Sequence, residues 1–219
     1  MIAENLKSIL SELPSEVTLV AVSKFHTAQE LMEAYDAGQR VFGENRPQEL
    51  SAKAAALPSD IEWHFLGHLQ TNKLKMVLPY ASLVQSVDSR HLLDAIDSWG
   101  KSNGKRVPVL LEMHVAAEDT KQGMEEEEIL EILFDADKYR NVEFRGLMAM
   151  ATNTPDLATI DADFGRVDSF MAYLVDLFPE LENFRQLSIG MSGDWKVAVR
   201  HGATIVRIGT SIFGERKRI

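Results

Sequence analysis

Eight short apolar runs, at residues 17–23, 40–43, 61–66, 82–87, 107–115, 142–148, 184–189 and 203–208, recur along the 219-residue chain with helix-like stretches between them. Several are apolar on both parities. Val17-Thr18-Leu19-Val20-Ala21-Val22 and Val107-Pro108-Val109-Leu110-Leu111 offer almost no polar face to water. Parallel strands covered on both sides have this pattern, whereas half-exposed antiparallel strands alternate. Strand–helix units joined by right-handed crossovers either open into a doubly wound sheet or close into a barrel. The open sheet is expected to carry a glycine-rich fingerprint after its first strand, and Ser23-Lys24-Phe25-His26 is not one. Eight units therefore predict an α/β chain of the (β/α)8 TIM-barrel class, one domain over residues 1–219, shorter than the usual ~250.

The intervening segments carry helix-start chemistry. Thr27-Ala28-Gln29-Glu30 is a capping box, followed by Leu31, Ala34 and Tyr35 at helical spacing and a stop at Gly38. Asn45 with Gln48 repeats that pattern, and Asp88 or Ser89 caps a helix that ends between Gly100 and Gly104. Thr154-Pro155 reads as an N-cap with proline at the first helical position, before a long stripe from Ile160 to Phe178 that stops at Pro179. Glu125-Glu126-Glu127-Glu128 reads as a solvated first turn, where carboxylates suit the helix dipole. Leu6, Ile9, Leu10 and Leu13 predict an extra N-terminal helix. Only residues 209–219 follow the last run, so this helix is placed to cover the face an eighth helix would otherwise occupy.

Composition narrows the function. With 23 Lys and Arg against 33 Asp and Glu the net charge is −10, a poor basis for holding a phosphate backbone. The one basic cluster, Arg216-Lys217-Arg218, is too short to reverse it. Absence of cysteine excludes disulfides, cysteine-ligated metals and thiol catalysis. No run approaches the ~18 apolar residues of a membrane span, and the start is no signal peptide. The expectation is a cytoplasmic protein with no metal, membrane or nucleic-acid partner.

In a barrel, chemistry belongs at the carboxyl ends of the strands. Lys24 follows the first run and shares parity with Val20 and Val22, so an inward-facing row ends in its ammonium. Desolvation there lowers a lysine pKa and makes a neutral, nucleophilic amine accessible. The alternative is a lysine that leaves the strand for water. After the seventh run comes Ser188-Ile189-Gly190-Met191-Ser192-Gly193-Asp194, and after the eighth Arg207-Ile208-Gly209-Thr210-Ser211. Such turns present backbone N–H groups to an anion, and loops seven and eight are the common phosphate site of these barrels. Each alone reads equally as an ordinary Ser/Gly turn, with Ser192 capping a helix. Both turns together with Lys24 point to a phosphate-bearing carbonyl ligand, a description that pyridoxal phosphate meets.

Six segments then resemble one family. They are Ala21-Val22-Ser23-Lys24, the stretch from Phe42 to Glu49 containing Gly43-Glu44-Asn45, and the stretch from His64 to Lys73. The others are Gly146-Leu147-Met148-Ala149-Met150, Leu187-Ser188-Ile189-Gly190-Met191-Ser192, and the stretch from Val206 to Gly214. In this order and spacing they resemble the YggS/PROSC family of pyridoxal-phosphate homeostasis proteins. The resemblance implies a barrel like the N-terminal domain of bacterial alanine racemase, with pyridoxal 5'-phosphate held covalently as an internal aldimine on Lys24. It implies that Ser192, Gly209 and Thr210 hold the phosphate, that Arg207 faces the pyridine nitrogen and that Asn45 borders the ring. Met191 and Met148 would pack nearby or simply belong to the core, and His64 would be a structural histidine. Gln85 and His114 depart from the family's usual His and Asn, which leaves a rim role at strands four and five in doubt. Lys121 lies in a family motif outside the cofactor loops and reads as a loop lysine in water.

An arginine can only donate to a ring nitrogen, which stays unprotonated and loses electron-sink power. Racemisation also needs a proton carrier on each face of the substrate, and the chain ends eleven residues after the last run. The expected function is therefore a carrier, a monomer or weak dimer that buffers the cofactor and delivers it to amino acids or apoenzymes without turnover. The alternatives are a racemase of alanine racemase type, or a lyase, using Lys24. A third is a cofactor-free sugar-phosphate enzyme, for which Glu44 and Glu112 are the available carboxylates.

Overall fold

The computed structural model describes residues 1–118 and 122–215; Lys121 and the cluster at 216–218 lie outside them. Each apolar run forms a strand: β1 Thr18–Val22, β2 Val41–Glu44, β3 Glu62–Phe65, β4 Ala81–Val87, β5 Val107–Met113, β6 Val142–Ala149, β7 Gln186–Met191 and β8 Ile205–Ile208. They pair in parallel in sequence order, and β8 closes on β1 with Val20 opposite Arg207 and Ala21 opposite Ile208. The (β/α)8 expectation holds.

The two strand parities feed two separate cores. Leu19, Ala21, Phe42, Phe65, Leu111, Leu147 and Ile189 pack outward with the helices, while Val20, Leu83, Leu110, Met148 and Ile205 form a smaller cluster. Those five come from β1, β4, β5, β6 and β8, so the smaller cluster fills the barrel's interior. Strands sandwiched between two mostly apolar layers show runs without alternation, and the few polar side chains they carry, among them His64, Gln85, Glu112, Ser188 and Arg207, are themselves buried.

The helices are α1 Ile2–Glu12, α2 Ala28–Asp36, α3 Pro47–Ala56, α4 Leu74–Val77, α5 Arg90–Asn103, α6 Glu126–Phe134, α7 Leu157–Leu177, α8 Trp195–Arg200 and α9 Thr210–Phe213. Thr27 and Glu30 form the predicted capping box, Ser89 caps α5, and Gly104 ends it in the left-handed conformation. Glu125 and Glu128 form a further box at the start of α6. Two expected caps are corrected. Arg46, not Asn45, is the N-cap of α3, and Pro47 at the first helical position needs no amide partner there. Asp156, not Thr154, caps α7, accepting from the amides of Ala158 and Thr159, while Thr154 Oγ1 accepts from Asp156 N at 3.1 Å.

Helix α1 does occupy the eighth helical position. Its first amide donates to Glu33 Oε1 on α2 at 3.1 Å, Glu12 is ion-paired with Lys196 on α8, and Asn5 Nδ2 donates to Ile212 O on α9 at 3.0 Å. Leu6 is fully buried beneath it. Replacing Leu6 by Ala is expected to cost about 2–5 kcal/mol in urea unfolding, the range for a buried leucine truncated in a core. A loss under about 1 kcal/mol would show that α1 lies on the barrel without being part of it.

Candidate functional site

β1 ends in a reverse turn. His26 N donates to Ser23 O at 3.0 Å, so Lys24 and Phe25 are its central pair, and Phe25 has φ of +68°. A turn with positive φ at its third position ordinarily takes glycine there, and a residue with a Cβ pays about 1–2 kcal/mol. The turn swings Lys24, half-buried, over the end of the inward row that Val20 and Val22 begin.

The lysine meets a cavity of about 230 Å³ at the carboxyl ends of the strands. Among the described residues its walls are Val22, Lys24 and His26 after β1, Asn45 after β2, Leu66 after β3, Met148 and Met150 at β6, Met191, Ser192 and Gly193 after β7, and Arg207, Gly209, Thr210 and Gly214 around β8. All seven predicted site residues, Lys24, Asn45, Met191, Ser192, Arg207, Gly209 and Thr210, are thus brought to one cavity, and Met148 with them.

The two small-residue turns lock together. Ser192 Oγ accepts from Gly209 N at 3.3 Å and from Ser211 N at 3.5 Å. Ser192 is therefore not the cap of α8, whose N-cap position is Asp194. Glycine suits position 209 by proximity, since a Cβ there would sit 3.0 Å from the Val22 carbonyl oxygen and 3.3 Å from its Cβ, tight enough that β1 would have to give way slightly. Two amides of the β8 turn thus point toward the hydroxyl of the β7 turn, a geometry suited to a bound oxyanion.

Beneath the cavity a buried polar chain crosses the barrel. Arg207 donates through Nη1 to Ser188 O (2.7 Å) and Oγ (2.6 Å), and through Nη2 to Ala149 O (2.9 Å). Ser188 Oγ donates to Gln85 Oε1 at 2.6 Å, and Gln85 Nε2 donates to His64 Nδ1 at 2.8 Å. Burial drives the His64 pKa down to about 4, so the ring is neutral and Nδ1 can accept. His64 is structural, as expected, and Gln85 is the link between it and β7 rather than a rim residue. Burial also lowers Arg207 to about 10, which leaves it cationic at neutral pH. His114 lies in the loop after β5, outside the cavity lining, with its amide donated to Met124 O at 2.9 Å.

Neither candidate carboxylate of the sugar-phosphate alternative lines the cavity. Glu44 is wholly buried behind it, accepting from Ser23 Oγ at 2.6 Å and from Lys53. Glu112 is 3% exposed inside the barrel, its pKa pushed up to about 7 by burial, with Asp88 reinforcing and Arg207 and His68 opposing. His26 was not singled out from the sequence. It is 9% exposed, stacks on Phe213 with ring centroids 4.8 Å apart, and sets Nδ1 3.4 Å from Glu30 Oε1. Its only signal is its place in the Lys24 turn.

A barrel with a lysine after its first strand and small-residue turns after its last two defines a class. The family model for the alanine racemase N-terminal domain matches residues 1–217. Proteins named pyridoxal phosphate homeostasis protein match along most of the chain. The one from Vibrio alginolyticus is 34% identical, with 98% of this chain and 97% of the relative covered. The human one is 39% identical, with 94% and 79% covered. PipY of Synechococcus elongatus, solved with PLP bound, superposes at a TM-score of 0.91 with 39% identity, covering 98% of this chain and 100% of PipY. Alanine racemase from E. faecalis shares the fold alone, at a TM-score of 0.77 and 18% identity over 98% of this chain and 57% of that one. The chain belongs to the pyridoxal phosphate homeostasis protein family, within the alanine racemase N-terminal domain group.

Glu112 offers a pH test of the interior. Its proton is retained in the folded state between about 4.5 and about 7, where the unfolded chain has released it. The folded state then binds more protons, so this group's contribution falls as pH rises through that window. His64, shifted down, works in the opposite direction below its ordinary value of 6.5. The difference between Glu112→Gln and the parent isolates the carboxyl. In urea titrations the variant should gain on the order of 3 kcal/mol relative to the parent between pH 4.5 and 7. A difference that stays flat with pH would mean Glu112 ionises normally.

Proposed function

We propose that this protein binds pyridoxal phosphate in the cavity at the ends of β1, β7 and β8, and serves in vitamin B6 homeostasis by holding and releasing the cofactor. The observation that carries this reading is the convergence of Lys24 with the interlocked turns of Ser192 and Gly209 on one cavity. The residues fit the group. Asn45 Oδ1 is buried with no hydrogen-bond partner and belongs to a cavity-lining residue, as expected where a ligand completes the site. Amides of the 209–211 turn, the Thr210 hydroxyl and Ser192 suit the phosphate, and Met148 and Met191 offer apolar walls for a flat ring.

When bound, the cofactor supplies an aldehyde that condenses reversibly with a neutral amine. Lys24 Nζ is the amine this chain brings to the cavity, so we read covalent attachment there. Arg207, held rigid by Ser188 and Ala149, can donate and not accept, which suits it to a ring nitrogen kept unprotonated. An unprotonated ring withdraws electrons weakly and favours storage over turnover. Among the described lining residues the amine and imidazole groups, Lys24 and His26, both come from the end of β1. Two-base racemisation requires donors on opposite faces, so the lining favours a carrier over a racemase. Relatives bear the homeostasis name, and PipY was solved with PLP. Amino acids and apoenzymes in the cytoplasm are the recipients we propose, with the protein acting as a monomer or weak dimer.

Protein incubated with pyridoxal phosphate should turn yellow, and borohydride should fix the cofactor's mass on the Lys24 peptide. Lys24→Ala should lose the colour and retain weak, phosphate-dependent binding. Thr210→Val should weaken affinity about tenfold, the worth of one hydrogen bond to a charged group, yet still be fixed at saturation. Colourless, unmodified parent protein would contradict the reading. Conversion of L- to D-alanine that Lys24→Ala abolishes would favour the racemase.

A further inference from the structure

Beyond the His26–Ser23 hydrogen bond that closes it, the turn bearing Lys24 is gripped from α3. The peptide before Lys24 presents Ser23 O to Lys53 Nζ at 2.8 Å, and the peptide after it presents Phe25 N to Glu49 Oε2 at 2.9 Å. Lys53 and Glu49 are one turn apart on α3 and joined to each other at 3.2 Å, so a single ion pair grips both peptide planes that flank the lysine. Lys53 Nζ also meets Glu44 Oε1 at 2.5 Å, and Ser23 Oγ donates to that same oxygen at 2.6 Å.

This arrangement is costly to keep. The side chains of Lys53 and Glu44 are 11% and 0% exposed, and Glu44 Oε2 is buried without a hydrogen-bond partner. Buried ion pairs of this kind are often no more stabilising than apolar residues of the same volume, so stability alone does not account for one here. The conformation it grips, by contrast, is one that persists only when its surroundings over-determine it, because Phe25 sits at φ +68°.

We infer that Glu49 and Lys53, backed by Glu44, are positioning residues whose ion pair holds the strained Lys24–Phe25 turn and so aims the Lys24 amine into the cavity. This rests on the pyridoxal phosphate reading above and deepens it. The residues touch neither the cavity nor its ligand. They act by fixing the backbone on either side of the reacting side chain. Loosening the clamp should slow covalent capture while leaving the phosphate turns on β7 and β8 intact.

The experiment separates capture from binding. In Glu49→Gln and Lys53→Met, the rate at which pyridoxal phosphate becomes borohydride-fixable on Lys24 should fall tenfold or more. Affinity for the cofactor analogue whose aldehyde is replaced by an alcohol should change less than twofold. Glu49→Gln, which keeps the side chain's shape, is the informative variant if Lys53→Met unfolds. Adding Phe25→Gly to Glu49→Gln should restore much of the rate, since glycine adopts positive φ without strain and has less need of a clamp. Capture at the parent rate in Glu49→Gln would overturn the inference. So would a loss that Phe25→Gly fails to rescue, or one matched by equal loss of analogue affinity, because each points to a general role in the fold. Failure of the parent protein itself to be fixed on Lys24 would instead overturn the cofactor reading on which the inference stands.

Discussion

Everything about the site follows from closure of the sheet. Val20 pairs with Arg207 and Ala21 with Ile208, so the first strand and the last lie side by side although nearly the whole chain separates them. Only that pairing sets Lys24 beside Arg207, Gly209 and Thr210. An open sheet of the same eight strands would leave the lysine at one edge and the β8 turn at the other. Closure also crowds position 209, where an added Cβ would sit 3.0 Å from the Val22 carbonyl oxygen. Helix α1 completes the wall around that seam, tied to α2, α8 and α9.

The cavity's chemistry runs against the composition of the chain. A protein of net charge −10 places Lys24 and Arg207 on its cavity wall and keeps Glu44 and Glu112 off it. Arg207 is buried, and its guanidinium donates to two backbone carbonyls and a serine, with Glu112 and Asp194 acting on it through their charge. It lines the cavity as a cation that can donate to an electron-rich ligand. The neutral His64 and the Gln85 amide extend this network to β3 without adding charge. Such a fully connected chain is rigid, and rigidity suits a site that must present donors without reorganising.

The fold was legible because burial on both strand faces leaves a mark in the residues themselves, as in Val17 to Val22. Lys24 was legible for the same reason, since parity along β1 carries directly into the cavity. The turns of Ser192 and Gly209 stood out by composition, but their hydrogen bonds to each other are tertiary and had no local signature. Caps leave a weaker mark. Asn45 looked like a cap by spacing, but Pro47 moves the start of α3 to Arg46 and frees the Asn45 side chain for the cavity. Asp156 displaced Thr154 at α7 because its carboxylate reaches two amides. The positive φ of Phe25 was invisible, as nothing about phenylalanine announces it; it is imposed by contacts from α3. His26 carries no local signature, because its stacking partner Phe213 is close in space and remote in sequence.

The central claim is that one cavity unites the β1 lysine with the turns after β7 and β8 around a single cofactor. A crystal structure of the protein equilibrated with pyridoxal phosphate tests it most directly. The account predicts density continuous with Lys24 Nζ, a phosphate enclosed by Ser192 and the 209–211 amides, and the Asn45 side chain beside the ring. Cofactor density away from Lys24, or a phosphate bound elsewhere while those turns remain apart from it, would contradict it.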